Sequence, residues 1–274
     1  MPLHPVDKSK HYMVFLVDIL GFESKFNEDG LRNIYSLYKE LAVYIDSLGG
    51  GAIFDAWPSG SGTATPFLGY VDIHHAYFSD TILLWSHYNP RAVRHFLANC
   101  NDLFCHSIRL GFMARGAISV GEAILDGEES VFLGAPLIEA ARAEKSQHWI
   151  GVALCRSFAK ASSGQPLPWE QLLFYEKHIK PDHARPELGW YSPQLVLNWP
   201  RSWRKQSSES LPCVIRSHNR DRTHSRYYER TLEFIDFSDA YGDWMERSDG
   251  PQTIYQAVTG KAPVIHDAVP NPAE

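Results

Sequence analysis

Apolar residues along the first 160 positions follow two rhythms, and their alternation predicts a layered fold. Residues 12–20 read YMVFLVDIL, an apolar run broken only by Asp18. A strand apolar at consecutive positions is covered on both faces, as a central strand is. Gly21 marks a turn, and from about Asp29 a helix is expected. Leu31, Ile34, Leu37, Tyr38, Leu41, Ile45 and Leu48 recur there at three- and four-residue steps, and the glycines at 49–51 end the pattern. Residues 52–70, rich in Gly, Ser, Thr and Pro, read as loop. Strand-like runs at about 71–78 and 81–86 flank Ser79-Asp80 and predict a hairpin with an acid at its tip. A helix at about 90–109, a strand at 111–120, the charged turn DGEES, a helix at 134–146 and a strand in WIGVALC follow.

This order predicts an α/β fold of the α+β sandwich type, with helices packed on a mixed or antiparallel sheet. Residues 11–160 form the expected chemical core and 161–274 a C-terminal extension. The extension is strand- and loop-rich at first, helical over about 232–246, and frayed from about 262.

Composition narrows the class. The 274 residues are 44% hydrophobic and 21% charged, enough to bury a core. Cys100, Cys105, Cys155 and Cys213 lack regular spacing and sit in mostly apolar surroundings, which fits buried thiols of a reduced cytoplasmic protein. No signal peptide or membrane-spanning run is expected. Net charge is −6, against a stable nucleic-acid partner, although residues 201–230 hold eight Lys or Arg and three acids. That stretch reads as a solvated surface or an interface.

Two acids stand out. Asp18 lies among Phe15, Leu16, Val17, Ile19 and Leu20, where an unpartnered carboxylate is costly to bury. It requires an arginine, a hydrogen-bond cage or a cation. A strand ending in Asp and turning at Gly21 into a helix points backbone N–H groups at one place, which suits a phosphate and its metal. Asp80, at the hairpin tip, lies near Asp18 if the hairpin pairs beside the first strand. By itself an Asp in such a turn is usually just a turn residue. His74 and His75 adjoin Asp72 but face opposite ways on a strand, so they are not expected to form a metal pair.

Four segments, in order, resemble class III nucleotidyl cyclases. VFLVDILGFES resembles their metal-binding opening, YFSDTILLW their second metal hairpin, RGAISVG (115–121) their Arg-x-Gly-Ile-x-x-Gly strand, and FLGAPLIEAARAEKS (132–146) the helix of the catalytic arginine. The resemblance implies a ferredoxin-type mixed sheet flanked by helices. It also implies a homodimer with active sites at the subunit interface and two divalent ions, Mn²⁺ or Mg²⁺, on Asp18, the Ile19 carbonyl and Asp80. Arg142 would be the catalytic arginine, supplied by the opposite subunit from the metals; a surface ion pair with Glu139, three residues earlier, is the plainer alternative. Leu20, Gly21 and Phe22 would hold phosphates, with Arg115 a candidate phosphate or interface contact whose plainer reading is a structural strand residue. Tyr77, Ser79, Ser130 and Val131 are candidates for the base pocket.

The departures from the pattern are informative. Ile138, Ala76 and Val131 stand where purine cyclases carry the ribose Asn and the adenine-reading Lys and Asp. This combination resembles the bacterial pyrimidine cyclases of Pycsar antiphage defence, whose cyclic UMP or CMP activates a separate effector. UTP is the favoured substrate and CTP the next. A rebuilt purine cyclase and a catalytically inactive nucleotide-binding domain are the other readings.

Overall fold

The computed structural model describes residues 10–48, 51–58, 64–162, 167–168, 170–175, 177–178, 195–219 and 224–247. Strand β1 (Lys10–Ile19) runs through the middle of the main sheet. Met13, Phe15, Val17 and Ile19 enter the large core on one face, while Tyr12, Val14 and Leu16 pack on the other. Burial on both faces accounts for the unbroken apolar run.

Helix α1 (Phe22–Leu48) starts about two turns before Gly30, whose φ of 75° and ψ of 159° kink it. The expected start near Asp29 therefore corresponds to its second segment. Ile34, Leu41 and Ile45 are buried as the periodicity implies, whereas Leu31 is 67% exposed.

Residues expected as loop form a hairpin instead: β2 (Gly51–Pro58) pairs antiparallel with β3 (Ala64–Val71). Gly, Ser and Thr crowd into 59–63, and outside that stretch Ile53, Phe54, Trp57, Phe67, Leu68 and Tyr70 favour strand.

Strands β4 (His74–Phe78) and β5 (Thr81–His87) form the expected hairpin, with Ser79-Asp80 as its turn. Helix α2 (Val93–Arg109) follows a 3₁₀ turn at Pro90–Ala92. Strand β6 (Ala114–Asp126) continues past Gly121, where the sequence pattern ends it, and turns into β7 (Val131–Gly134). Helix α3 (Ala135–Ser146) crosses the sheet, and β8 (Gly151–Leu154) pairs parallel with β6.

After α4 (Arg156–Ala161) come β9 (Leu172–Phe174), β10 (Leu195–Leu197), α5 (Trp199–Gln206), α6 (Leu211–His218) and α7 (Ser225–Arg247). The main sheet runs β4-β5-β1-β6-β8-β10-β9, with β7 also on β6. It is a mixed, mostly antiparallel sheet flanked by helices, and its last two strands come from beyond residue 160. Trp199, Trp203, Ile215, Phe234 and Tyr241 of the C-terminal helices belong to the same core as β1. Residues from 262 onward, expected to fray, lie outside the described residues. Among the described residues no helix is long and apolar enough to cross a membrane.

Candidate active site

The site lies at the end of β1, where Asp18 pairs in register with Thr81 of β5 and with Arg115 of β6. Two backbone bonds fix the following residues. Ile19 N–H donates to the Asp80 carbonyl at 2.9 Å, and Leu20 N–H to the Met113 carbonyl at 2.7 Å. Asp18, at the end of β1, and Asp80, in the turn before β5, are thereby held beside each other, with the Ile19 backbone between them. At Gly21 the chain turns with φ of 65°, a conformation glycine adopts without penalty, and α1 begins one residue later. Ser79, in the hairpin turn, has φ of 55°, and its carbonyl accepts from the Tyr38 hydroxyl at 2.7 Å.

Asp18 is not left alone. Arg115 Nη2 lies 3.5 Å from its Oδ2, and the same guanidinium, through Nε, forms an ion pair with Glu144 on α3. Burial is the largest influence on Asp18 and raises its carboxyl above the ordinary range; Arg115 opposes this and Asp80 reinforces it. Glu144 is 2% exposed, and its carboxyl is pushed up to about 7, first by burial and then by Asp18 against the pull of Arg115. The two carboxyls act on each other's protonation: Glu144 draws Asp18 down and Asp18 draws Glu144 up. When the pair carries one proton, the directions favour Glu144 over Asp18 as its holder.

Sequence reasoning missed Glu144, yet its signal was present. Pro136, Ala140 and Ala143 form the buried stripe of α3, and Glu144 is an acid on that stripe, as Asp18 is on an apolar strand.

Arg142 sits two residues from Glu144, about 200° around the helix, and is exposed with Ile138 on the outer face of α3. Within one chain it turns away from Asp18. Glu139, its plainer partner, instead accepts from the Ser157 amide at 3.2 Å.

The base-pocket candidates scatter. Ala76 and Asp18 share a sheet face, as register and packing show, whereas Tyr77 points to the opposite face against Tyr38. Ser130 and Val131 lie at the β6–β7 turn, beside Asp126. That is eleven residues along β6 from Arg115, about 35 Å at the usual strand rise. Of these candidates only Ser79 adjoins the Asp18 centre of the same chain. The histidines separate as strand geometry requires: His74 pairs with Asp72 and His75 with Asp46.

Two adjacent carboxylates and a backbone carbonyl make a hard-oxygen donor set, which suits Mg²⁺ or Mn²⁺ completed by water and phosphate oxygens. Among the described residues no three His, Cys, Asp or Glu side chains converge as a closed cage. An open site of this kind fits a metal that shares its coordination with a substrate. A desolvated Asp18 with a second acid beside it also gains from added positive charge.

No family model and no curated protein matches this chain. Its backbone is similar to the catalytic core of a rhodopsin-guanylyl cyclase with converted specificity, in complex with ATPαS, at 11% identity and TM-score 0.46, covering 69% of this chain and 94% of that one. It is also similar to the monomeric guanylyl cyclase domain of the RhoGC fusion protein from the aquatic fungus Blastocladiella emersonii, at 11% identity and TM-score 0.42, with the same coverages of 69% and 94%. A class III adenylyl cyclase-like ATP-binding protein from Pseudomonas aeruginosa matches at 12% identity and TM-score 0.39, over 88% of this chain and 44% of that chain. At such similarity, chemistry has to be argued from the residues themselves.

Proposed function

We propose that this chain is a metal-dependent nucleotidyl cyclase working as a homodimer, with UTP as substrate and 3′,5′-cyclic UMP and pyrophosphate as products. The observation that carries this is Asp18 and Asp80, placed side by side at the end of the central strand with Arg115 against Asp18 and a glycine turn directly beyond. That combination offers a seat for cations, a cationic side chain and backbone donors within one small region.

Asp18, Asp80 and the Ile19 carbonyl would hold the divalent ions, which, when bound, supply positive charge that acidifies the ribose 3′-hydroxyl and neutralises the triphosphate. The N–H groups of Gly21 and Phe22 bind the β- and γ-phosphates at the start of α1, while Leu20, whose own N–H is taken by the Met113 carbonyl, lines the turn. Arg115 adds charge beside them. The 3′-oxygen forms a bond to the α-phosphorus as the bond from that phosphorus to the bridging oxygen breaks. Pyrophosphate departs, and the hydroxyl proton passes to solvent. Arg142 from the second protomer stabilises the charge that develops on the transferring phosphoryl group. Its exposed position, turned away from its own Asp18, supports a role across the dimer.

Support for a pyrimidine base comes from the residues at the family's purine-reading positions. Ala76 and Val131 offer no side-chain donor or acceptor, and a pocket lacking those partners discriminates against the base that needs them. The resemblance to antiphage pyrimidine cyclases supports a second-messenger role acting on a separate effector.

Purified protein incubated with Mn²⁺ and all four ribonucleoside triphosphates tests this, with products identified by mass spectrometry and Asp18→Ala as control. Cyclic UMP that disappears in the control is expected. Cyclic CMP would change the base, and a cyclic purine would overturn the inference from Ala76 and Val131. No cyclic product from a chain that binds triphosphate would favour an inactive nucleotide-binding domain.

A further inference from the structure

We propose that Tyr227, on the C-terminal helix α7, is a positioning residue that holds Arg115 open toward the phosphates, so that the C-terminal extension completes the catalytic centre; this rests on the site being a triphosphate site.

Arg115 stands between two acids. A guanidinium so placed tends to close on a carboxylate as a two-pronged pair. If it closed on Asp18, it would occupy the oxygens a cation needs and spend the donors a phosphate needs. The observed geometry differs. Nε pairs with Glu144, Nη2 makes only a single long hydrogen bond, 3.5 Å, to Asp18 Oδ2, and Nη1 is drawn the other way, donating to the Tyr227 hydroxyl at 3.2 Å and to the Gln147 carbonyl at 3.4 Å. The guanidinium carbon also lies 5.7 Å from the centre of the Tyr227 ring. A hydroxyl and a carbonyl orient the cation without cancelling its charge. Nη1 is thereby kept from a second bond to Asp18, which leaves the Asp18 oxygens free for a cation and the guanidinium in place for an incoming anion.

Tyr227 is itself fixed. Its ring lies between those of His148 and His224, at 5.9 and 6.0 Å. Its carbonyl accepts from the Thr231 hydroxyl at 2.6 Å, and that hydroxyl accepts from the Ile150 amide at 2.8 Å. Thr231 is fully buried. Gly151, the next residue after Ile150, is the register partner of Arg115. The chain of contacts thus closes on itself, from Arg115 to α7, down one helical turn, across to the start of β8 and back. The same end of α7 stands over the phosphate turn, where a Cβ built on Gly21 would lie 3.7 Å from His224 Nδ1.

The test is equilibrium binding of Mn²⁺–UTP by calorimetry to the full chain and to Tyr227→Phe, Arg115→Ala and the double variant, with cyclic-product turnover measured alongside. Tyr227→Phe keeps the ring and the fold but deletes the hydroxyl. It is expected to weaken binding about five- to tenfold, the net effect of one ordinary hydrogen bond, and to raise KM with a change in kcat of no more than about twofold. In the Arg115→Ala background it should cost nothing further, because the interaction it served is already gone. Unchanged binding in Tyr227→Phe, or effects that add in the double variant, would overturn the proposal. Binding that responds as described in a chain that makes no cyclic product keeps Tyr227 in this role and removes the cyclase reaction. A wild-type chain that binds no triphosphate removes both.

Discussion

Replacing Glu144 with Gln should remove one pH-dependent contribution to stability, and the size of the change follows from the site. Glu144 is buried against Arg115 and Asp18, and its carboxyl is raised from 4.5 to about 7, with burial the leading cause. A group that holds its proton more tightly when folded contributes stability that is fully present below its unfolded pKa and lost as pH rises through its folded pKa. For Glu144 that window runs from about pH 4.5 to about pH 7. The difference between the two values corresponds to roughly 3 kcal/mol. Because Asp18 and Glu144 act directly on each other's protonation, the step belongs to the pair rather than to either residue.

Gln has nearly the same volume and never ionises. The melting temperature of metal-free Glu144→Gln, followed by circular dichroism with a chelator present, should therefore gain on wild type as pH rises from 4.5 to 8. For a chain of this size about 3 kcal/mol corresponds to roughly 6–12 °C, and subtracting the two curves removes every other titrating group. A difference that stays level across the window, or that moves the other way, would refute the placement of a proton between Glu144 and Asp18.

Three further outcomes are expected. Asp18→Ala and Arg142→Ala, each inactive as a homodimer, should recover about a quarter of wild-type turnover when mixed and allowed to exchange subunits, since half of the dimers then carry one intact site; no recovery would place both residues in one chain's site. Gly116→Ala would put a Cβ 2.7 Å from the Leu16 carbonyl oxygen, so β6 must shift beside Asp18, costing about 1–3 kcal/mol in chemical denaturation together with cyclase activity. Thr231→Val strands the Ile150 N–H and should lower stability by about 1–3 kcal/mol in the same assay, with a weaker hold on nucleotide through Tyr227.

Asp18 and Asp80 could be read from local pattern because each breaks its surroundings: one is an acid within an apolar strand, the other an acid between two strands. The strand–helix–hairpin order was legible for the same reason, since apolar period reports burial directly. Where composition misled, it did so by averaging. The glycines and serines of 59–63 coloured the whole of 52–70 as loop, although the flanking residues pair as β2 and β3.

Other features arise only on folding. Glu144 acquires its role when α3 lays its small-residue stripe on β1 and β6, bringing a buried acid to Asp18 and Arg115. Ser130 and Val131 are linked to Asp18 by family pattern, but the length of β6 carries them to its far end in the same chain. Tyr227 stands 112 positions from Arg115 in sequence and meets it through a hydrogen bond and its ring face. No periodicity encodes that contact. The sequence alone determined which residues must be buried or turned and which acids require a partner, because hydrophobic period and the cost of a desolvated charge are local quantities. Tertiary structure decided which partners they received, because strand register and helix docking set distances between residues the chain keeps far apart.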